Sequence, residues 1–412
     1  MVTPTKRLHC EDLGACIAHA NSLIKVLYID IEGGHGGSSQ SLRILVENLD
    51  RSRINPVIWH RRDNGYGSLL DGLCIRHRHE TRITSIIPRA SKNWKNWLIS
   101  LPRFIGLWNV AKEILHEAPD IIHLNYEGLV PLLALLGCDG NRPSIVLHFR
   151  TISPPNWVYR QYAKIINRNA DYLVFISENE RKIANRAGVE TDRLPGRVLY
   201  NPVKIDPKSK ISQTSLGPPR PMNLVFLGTL DNIRAADRLI PLAAELKRQN
   251  VNARIHAYGG SPGYRKFLIF PRKTLERLRN QVEAANLEPW IKYCGRTEDP
   301  RNALAMADLL LWPSRENNPW GRSILEAMAQ GVPVMAVGKY DKFVSSGETG
   351  YLFDLWDTDV WVKAIKKLEA NRSQLTVLSR NATAKVADFC DPSRYAEQMM
   401  EIYDLLSTDA RP

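Results

Sequence analysis

No apolar run in the chain approaches the roughly 18 residues of a membrane-spanning helix. The six cysteines, Cys10, Cys16, Cys74, Cys138, Cys294 and Cys390, form no CxxC or other ligand spacing. That pattern argues against a zinc site or a disulfide framework and fits a reduced cytoplasm. A secretory leader is not expected at residues 1–22, which read as a loose arm, because Glu11 and Asp12 stand where its apolar core would lie. The dinucleotide fingerprint G-x-G-x-x-G is absent. Acidic residues are outnumbered, 43 against 56 Lys and Arg, for a net charge of +13. Such an excess implies an anionic partner: a nucleotide, an anionic membrane surface or a nucleic acid. Because the basic residues are spread over both halves and no nucleic-acid module is recognisable, specific nucleic-acid binding is not expected.

What is present describes a globular protein of 412 residues, 44% hydrophobic and 24% charged, and that length favours two domains of similar size. IKVLYIDI (24–31) is an apolar strand, followed by a Gly-rich loop and an amphipathic helix. Gly33, Gly34, His35, Gly36 and Gly37 would let backbone approach a ligand, with Ser38 or Ser39 as the helix N-cap. A tight turn without a ligand is the alternative. Further strands are expected at PVIWHRR (56–62), PDIIHLN (119–125), PSIVLHFR (143–150), DYLVFISENE (171–180, with Ser177 capping a helix) and RVLYNPV (197–203). Asn125, His148 and Arg150 fall at strand ends, where open α/β sheets take their ligands. CIRHRHETR is a short basic stretch. After it, Arg89, Lys92, Lys95 and Arg103 alternate with Trp94, Trp97, Leu98, Leu101, Phe104 and Trp108, interrupted by Pro102. That spacing suits either contact with an anionic membrane surface or ordinary helix packing.

Composition then shifts to a Pro-, Ser- and Lys-rich linker at 206–221, and a second strand and helix series begins at NLVFLGTL (223–230). It continues through ARIHAYGG, IKYCGRTED and DLLLWPS to the stretch Trp312–Phe353. There Asn318 and Pro319 are expected to open a helix running to Gln330, stopped by Gly331 before the buried strand VPVMAV. Backbone N–H groups near Trp320, Gly321 and Arg322 would favour phosphate. Glu326 shares a helix face with Arg322 and could accept ligand hydroxyls or form a plain ion pair. Asp357-Thr358-Asp359 has the look of a metal-binding D-x-D, but Asp359 is better read as a helix N-cap, and no metal is expected. DPSRYAEQMMEIYDLL (391–406) is a terminal amphipathic helix.

The order of Gly-rich loop, PDIIHLN, His148, YNPV, FLGTL, PSRENNPWGRSILEAMAQGVPVMA and GETGYLF resembles glycosyltransferase family 4 over residues 24–406. These are retaining enzymes of the GT-B fold. The resemblance implies two Rossmann-like doubly wound α/β domains facing a cleft: an acceptor domain at 23–205, a donor domain at 222–390, and a helix and tail at 391–412 crossing back to the first. It implies a nucleotide sugar (UDP- or GDP-sugar) as co-substrate, no cofactor, a glycan or lipid-linked glycan acceptor, and a cytoplasmic enzyme peripheral to the membrane's inner face. Glu326 matches the second Glu of the family's E-x7-E motif, which binds ribose. Asn318 stands at the first Glu position, with Glu316 two residues earlier. Arg234 replaces a Lys that neutralises the diphosphate, and Thr229, after Gly228, stands where the family has an Arg, so Arg322 or Arg296 would have to substitute. His148 matches a strand-end His near the transferred sugar, and Gly36, Gly37 and Ser38 match the loop where donor and acceptor approach. The departures at Thr229 and Asn318 also admit a catalytically weak protein that binds nucleotide sugar or glycan as an assembly partner.

Overall fold

The computed structural model describes residues 23–34, 36–85, 101–138, 142–151, 157–205, 220–260, 274–297, 299–316 and 320–409. Packing divides the chain into two units, one of residues 1–202 with 392–412 and one of residues 203–391. Among the described residues no helix is long and apolar enough to cross a membrane.

The first unit is built on β1 (Ile24–Asp30), β2 (Ile54–His60), β3 (Arg76–His79), β4 (Ile121–Leu124), β5 (Ser144–Phe149), β6 (Tyr172–Phe175) and β7 (Gly196–Val198). They form one parallel sheet in the order β3-β2-β1-β4-β5-β6-β7. Strands covered on both faces need apolar residues in both phases of the two-residue period. Leu27 and Ile29 pack beneath α3 (Leu101–His116), α4 (Val130–Leu136) and α5 (Trp157–Asn169), while Val26 and Tyr28 pack beneath α1 (Gly37–Asn48) and the C-terminal helix Pro392–Asp409. Two shorter helices, α2 (Tyr66–Asp71) and α6 (Glu178–Arg186), complete the described part of the unit. Ser177 does cap α6, accepting the Asn179 N–H at 3.1 Å.

Several expectations are corrected here. Gly36, not Ser38 or Ser39, is the N-cap of α1; the two serines lie inside its first turn because the carboxylates of Glu32 and Asp30 accept their hydroxyls. CIRHRHETR contains β3, an edge strand held by side-chain pairing rather than apolar alternation. His77 lies 3.2 Å from His60, and Arg78 stacks over Trp59 at 4.5 Å. Pro102 does not interrupt α3 but sits at its second residue, where a missing N–H costs nothing. Leu107, Val110, Ala111 and Ile114 of α3 are buried and Trp108 is 48% exposed. Trp94 and Trp97 lie outside the described residues.

In the second unit, β8 (Met222–Leu227), β9 (Ala253–Tyr258), β10 (Ile291–Gly295), β11 (Leu309–Trp312), β12 (Val334–Val337) and β13 (Gly350–Phe353) make a parallel sheet in the order β10-β9-β8-β11-β12-β13. Around it lie α7 (Leu239–Arg248), α8 (Thr274–Ala284), α9 (Pro300–Ala305), α10 (Arg322–Ala329), α11 (Thr358–Ala370) and α12 (Ser373–Phe389). Strand order reverses between β8 and β11, as it does between β1 and β4 in the first sheet, and such reversals open ligand crevices at the strands' carboxyl ends. The helix expected to open at Asn318 and Pro319 begins later, at Arg322, after Gly321 at φ 152° and ψ 171°. That conformation favours glycine. Trp320 is drawn into the core against Phe343, ring centroids 5.3 Å apart. Asn318 and Pro319 are outside the described residues. Asp357, not Asp359, caps α11, accepting the Val360 N–H at 3.0 Å.

Candidate active site

Two loops flank the reversal point of the second sheet, and they are knit together. After β8, the Asp231 carboxylate accepts the Thr229 hydroxyl and the Arg234 N–H, both at 2.7 Å. Beyond β11, Ser314 donates to the Ile233 carbonyl at 3.1 Å, and Arg238 reaches back to the Pro313 carbonyl at 2.8 Å. Arg315 forms a two-point pair with Asp237 at 2.8 and 2.6 Å. Paired this way, the loops hold Arg234 over the indole of Trp312, 4.7 Å from its centroid, with a guanidinium nitrogen 3.7 Å from Glu316. Asp231, Asp237, Arg238 and Arg315 carry this arrangement without having been expected. Nothing in the spacing of DNIRAAD and PSRE couples two segments about eighty residues apart, so only the folded loops reveal them.

The remaining residues expected to bind donor lie around this sheet. Gly228 follows β8 and donates its N–H to the Tyr258 carbonyl at 3.1 Å, beside the aliphatic part of Arg234. Thr229 is exposed, with no cationic group of its own to offer. Arg322 and Glu326 pair at 2.7 Å with side chains 14% and 19% exposed. Burial pushes the Glu326 carboxyl up from its ordinary value while Arg322 opposes the shift. Arg322 is therefore already matched with a carboxylate, whereas Arg296 is exposed at the end of β10, lying against Gly260. Glu316, 49% exposed, is engaged with Arg234 rather than with the start of α10. Trp320 is a core residue, 4% exposed.

The first sheet gathers a buried polar network at its own reversal point. The Asn125 amide N–H donates to Asp30 at 2.9 Å, and Asn125 Oδ1 accepts from Arg150 Nε at 3.1 Å and Nη2 at 2.7 Å. Asn125 thus sits between a buried carboxylate and a buried guanidinium, satisfying both. Arg150 also donates to Asn201 at 2.7 Å, which takes the Ser41 hydroxyl at 3.1 Å. Gly36 and Gly37 open α1 here, and the Glu32 carboxylate takes the Ser38 hydroxyl at 2.6 Å and its N–H at 3.2 Å. A Cβ on Gly36 would overlap that carboxylate.

His148 is the penultimate residue of β5 and fully buried, and Arg150 directly follows the strand. Its Nδ1 meets His123 Nε2 at 3.2 Å, and His123 Nδ1 meets the Tyr403 hydroxyl at 2.8 Å. Burial, with Arg150 and His123 beside it, holds His148 well below its usual value, so the ring is neutral. Glu127, on the turn after β4, was not anticipated. It accepts the Arg150 N–H at 3.0 Å, and burial pushes its carboxyl up to about 8. The signal was available only as EGL directly after PDIIHLNY, which says nothing about burial.

Two family models match the chain: Glycosyltransferase Family 4 over residues 35–206 and Glycosyl transferases group 1 over residues 208–385. The D-inositol 3-phosphate glycosyltransferase of Nocardia farcinica is 28% identical over 261 residues, covering 58% of this chain and 55% of that protein. The lipopolysaccharide core biosynthesis glycosyltransferase LpsE of Rhizobium meliloti is 26% identical over 152 residues, 36% of this chain and 44% of that one. The chain spans about half the length of these curated relatives. Among solved structures, Anabaena HepE in complex with UDP and glucose superposes with a TM-score of 0.72 at 22% identity, covering 92% of this chain and 99% of that one. Sucrose-phosphate synthase from Thermosynechococcus elongatus gives 0.72 at 17% identity, covering 94% and 100%. With the two models together matching most of the sequence, and two doubly wound parallel sheets in the fold, the chain belongs to glycosyltransferase family 4 and has the two-domain GT-B architecture.

Proposed function

We propose that the chain moves a hexosyl group from a nucleotide sugar to a glycan or lipid-linked glycan acceptor, with retention at the anomeric carbon, in polysaccharide or cell-envelope biosynthesis. The observation that carries this reading is the grouping of Arg234, Trp312 and Gly321 at the reversal point of the second sheet, with Glu326 about one turn along the helix that begins there. A cation and a helix N-terminus suit a diphosphate, and a half-buried carboxylate suits ribose hydroxyls. UDP-bound HepE and the lipopolysaccharide relative support a UDP-sugar and an envelope acceptor.

In the mechanism this implies, Glu326 acts as a hydrogen-bond acceptor and not as a base. Arg234 offsets charge that develops on the departing diphosphate, which is where stabilisation accelerates the reaction. Because Glu316 shares Arg234, the site holds its cation in place before substrate arrives. Front-face attack, in which the departing diphosphate itself helps to deprotonate the acceptor hydroxyl, needs no pair of catalytic carboxylates. The acceptor is assigned to the first unit, at the ends of β1, β4 and β5. The test is a panel of UDP-, GDP- and ADP-sugars assayed for hydrolysis and for transfer to glycan and lipid-linked acceptors. Transfer from one of them supports the reading.

A second reading rests on Thr229, which is tied to Asp231 and leaves one phosphate-facing cation fewer than the family pattern. In that case the protein binds nucleotide sugar or glycan and serves as an assembly partner. Donor binding without turnover on any acceptor would favour it over the transferase.

A further inference from the structure

Trp312 ends β11 at the point where strand order reverses, and its side chain is 3% exposed. Leu309 and Leu311 face the main apolar cluster, so the two-residue period turns Trp312 to the other side of the sheet. There its indole Nε1–H has no acceptor among the described residues. A buried donor left unmade is unfavourable, and one that persists calls for an explanation. Its surroundings supply one. A Cβ placed on Gly321 would lie 4.0 Å from Trp312 Cζ2, on the N–H edge of the indole, so that edge turns toward the start of α10. Over the ring face stands Arg234. Trp361 Nε1 also lacks an acceptor, but its ring is enclosed by Phe353 and Trp356, and among the described residues no cation stacks on it.

We propose that the Trp312 Nε1–H is a ligand-binding donor, reserved for an oxygen of a nucleoside diphosphate, and that it makes up part of what Thr229 does not supply. The inference rests on the donor reading above. The unmet N–H edge lies beside Gly321 at the N-terminus of an eight-residue helix, and a guanidinium stands over the face of the same ring; an anionic oxygen is the group that satisfies all three. The indole would do two jobs: its face positions Arg234, and its edge binds the ligand directly.

Calorimetric titration of the wild-type chain and of Trp312→Phe with UDP, GDP and their nucleosides separates these roles, because phenylalanine keeps a ring under Arg234 and removes only the N–H edge. The expected result is about a tenfold weaker diphosphate affinity in Trp312→Phe, the size of one lost charge-assisted hydrogen bond, with nucleoside affinity unchanged. Equal diphosphate affinity in the two proteins overturns the inference and leaves the donor reading standing. Failure of the wild-type chain to bind either diphosphate removes both. A second measurement does not depend on the variant folding: in wild-type protein labelled with 15N at its indoles, UDP or GDP should move one indole N–H resonance downfield and the nucleoside should not. No indole shift on diphosphate binding also overturns the inference.

Discussion

At the scale of single residues, Glu326 and Glu127 show two uses of a buried carboxyl. Glu326 pairs with Arg322 while burial raises its carboxyl from the ordinary value, and its remaining lone pairs can take hydroxyl donors. Replacing it with Ala should weaken donor binding by about 100-fold, roughly 2.7 kcal/mol, as two charge-assisted hydrogen bonds are lost. Donor affinity by calorimetry checks this, and a change under threefold would remove Glu326 from the ribose site. Glu127 is protonated in the native protein up to about pH 8. An unfolded glutamate loses its proton near 4.5, so the native state binds the extra proton between those values and stability falls as pH rises through them, by about 1.4 kcal/mol per pH unit. Glu127→Gln should abolish that slope above the range where the buried imidazoles act, read from chemical unfolding at pH 6.5, 7, 7.5 and 8. The sequence offered Glu326 through its spacing from Arg322 and the family motif. It offered nothing for Glu127, whose environment comes from the backbone of Arg150 and from burial.

At the scale of elements, the C-terminal helix is tied to the first sheet through Tyr403, His123 and His148. Burial pushes His123 down to about 3 and moves His148 in the same direction. Unfolded imidazoles take up protons near pH 6.5 while these stay neutral, so stability is lost as pH falls below 6.5, by about 1.4 kcal/mol per pH unit for each ring. In a Glu127→Gln background, which removes the opposing carboxyl slope, His148→Leu should roughly halve the steepness of that acid limb in thermal melts between pH 6.5 and 4.5. An unchanged slope would mean that another group carries it. Strand and helix types in the apolar segments were legible because periodicity reports burial. Helix starts were less so: Ser38, Asn318 and Asp359 all have good capping chemistry, yet Gly36, Gly321 and Asp357 hold the caps. Side chains that can cap can also bond elsewhere, as Ser38 does with Glu32.

For the whole molecule, the return of the last helix to the first unit makes residues far apart in sequence interdependent. Tyr395, Met399 and Tyr403 cover Val26, Tyr28, Val146 and Val174. A chain ending at Asp391 would expose that sheet face, and the first unit is expected to aggregate or lose its cooperative melt while the second retains its own. Separate melting of the two units by calorimetry decides this. The sequence by itself determined the two βα series, the identity of the family and the choice of Trp312–Phe353 as the candidate site stretch, because hydrophobic period, glycine positions and motif order act locally. Tertiary structure alone decided which candidates meet. It buried His148 against His123 and matched Arg150 with Asn125 and Arg234 with Glu316. It also brought the Trp312 edge to Gly321. Those outcomes depend on strand order and on loops about eighty residues apart folding against each other, and no local pattern encodes either.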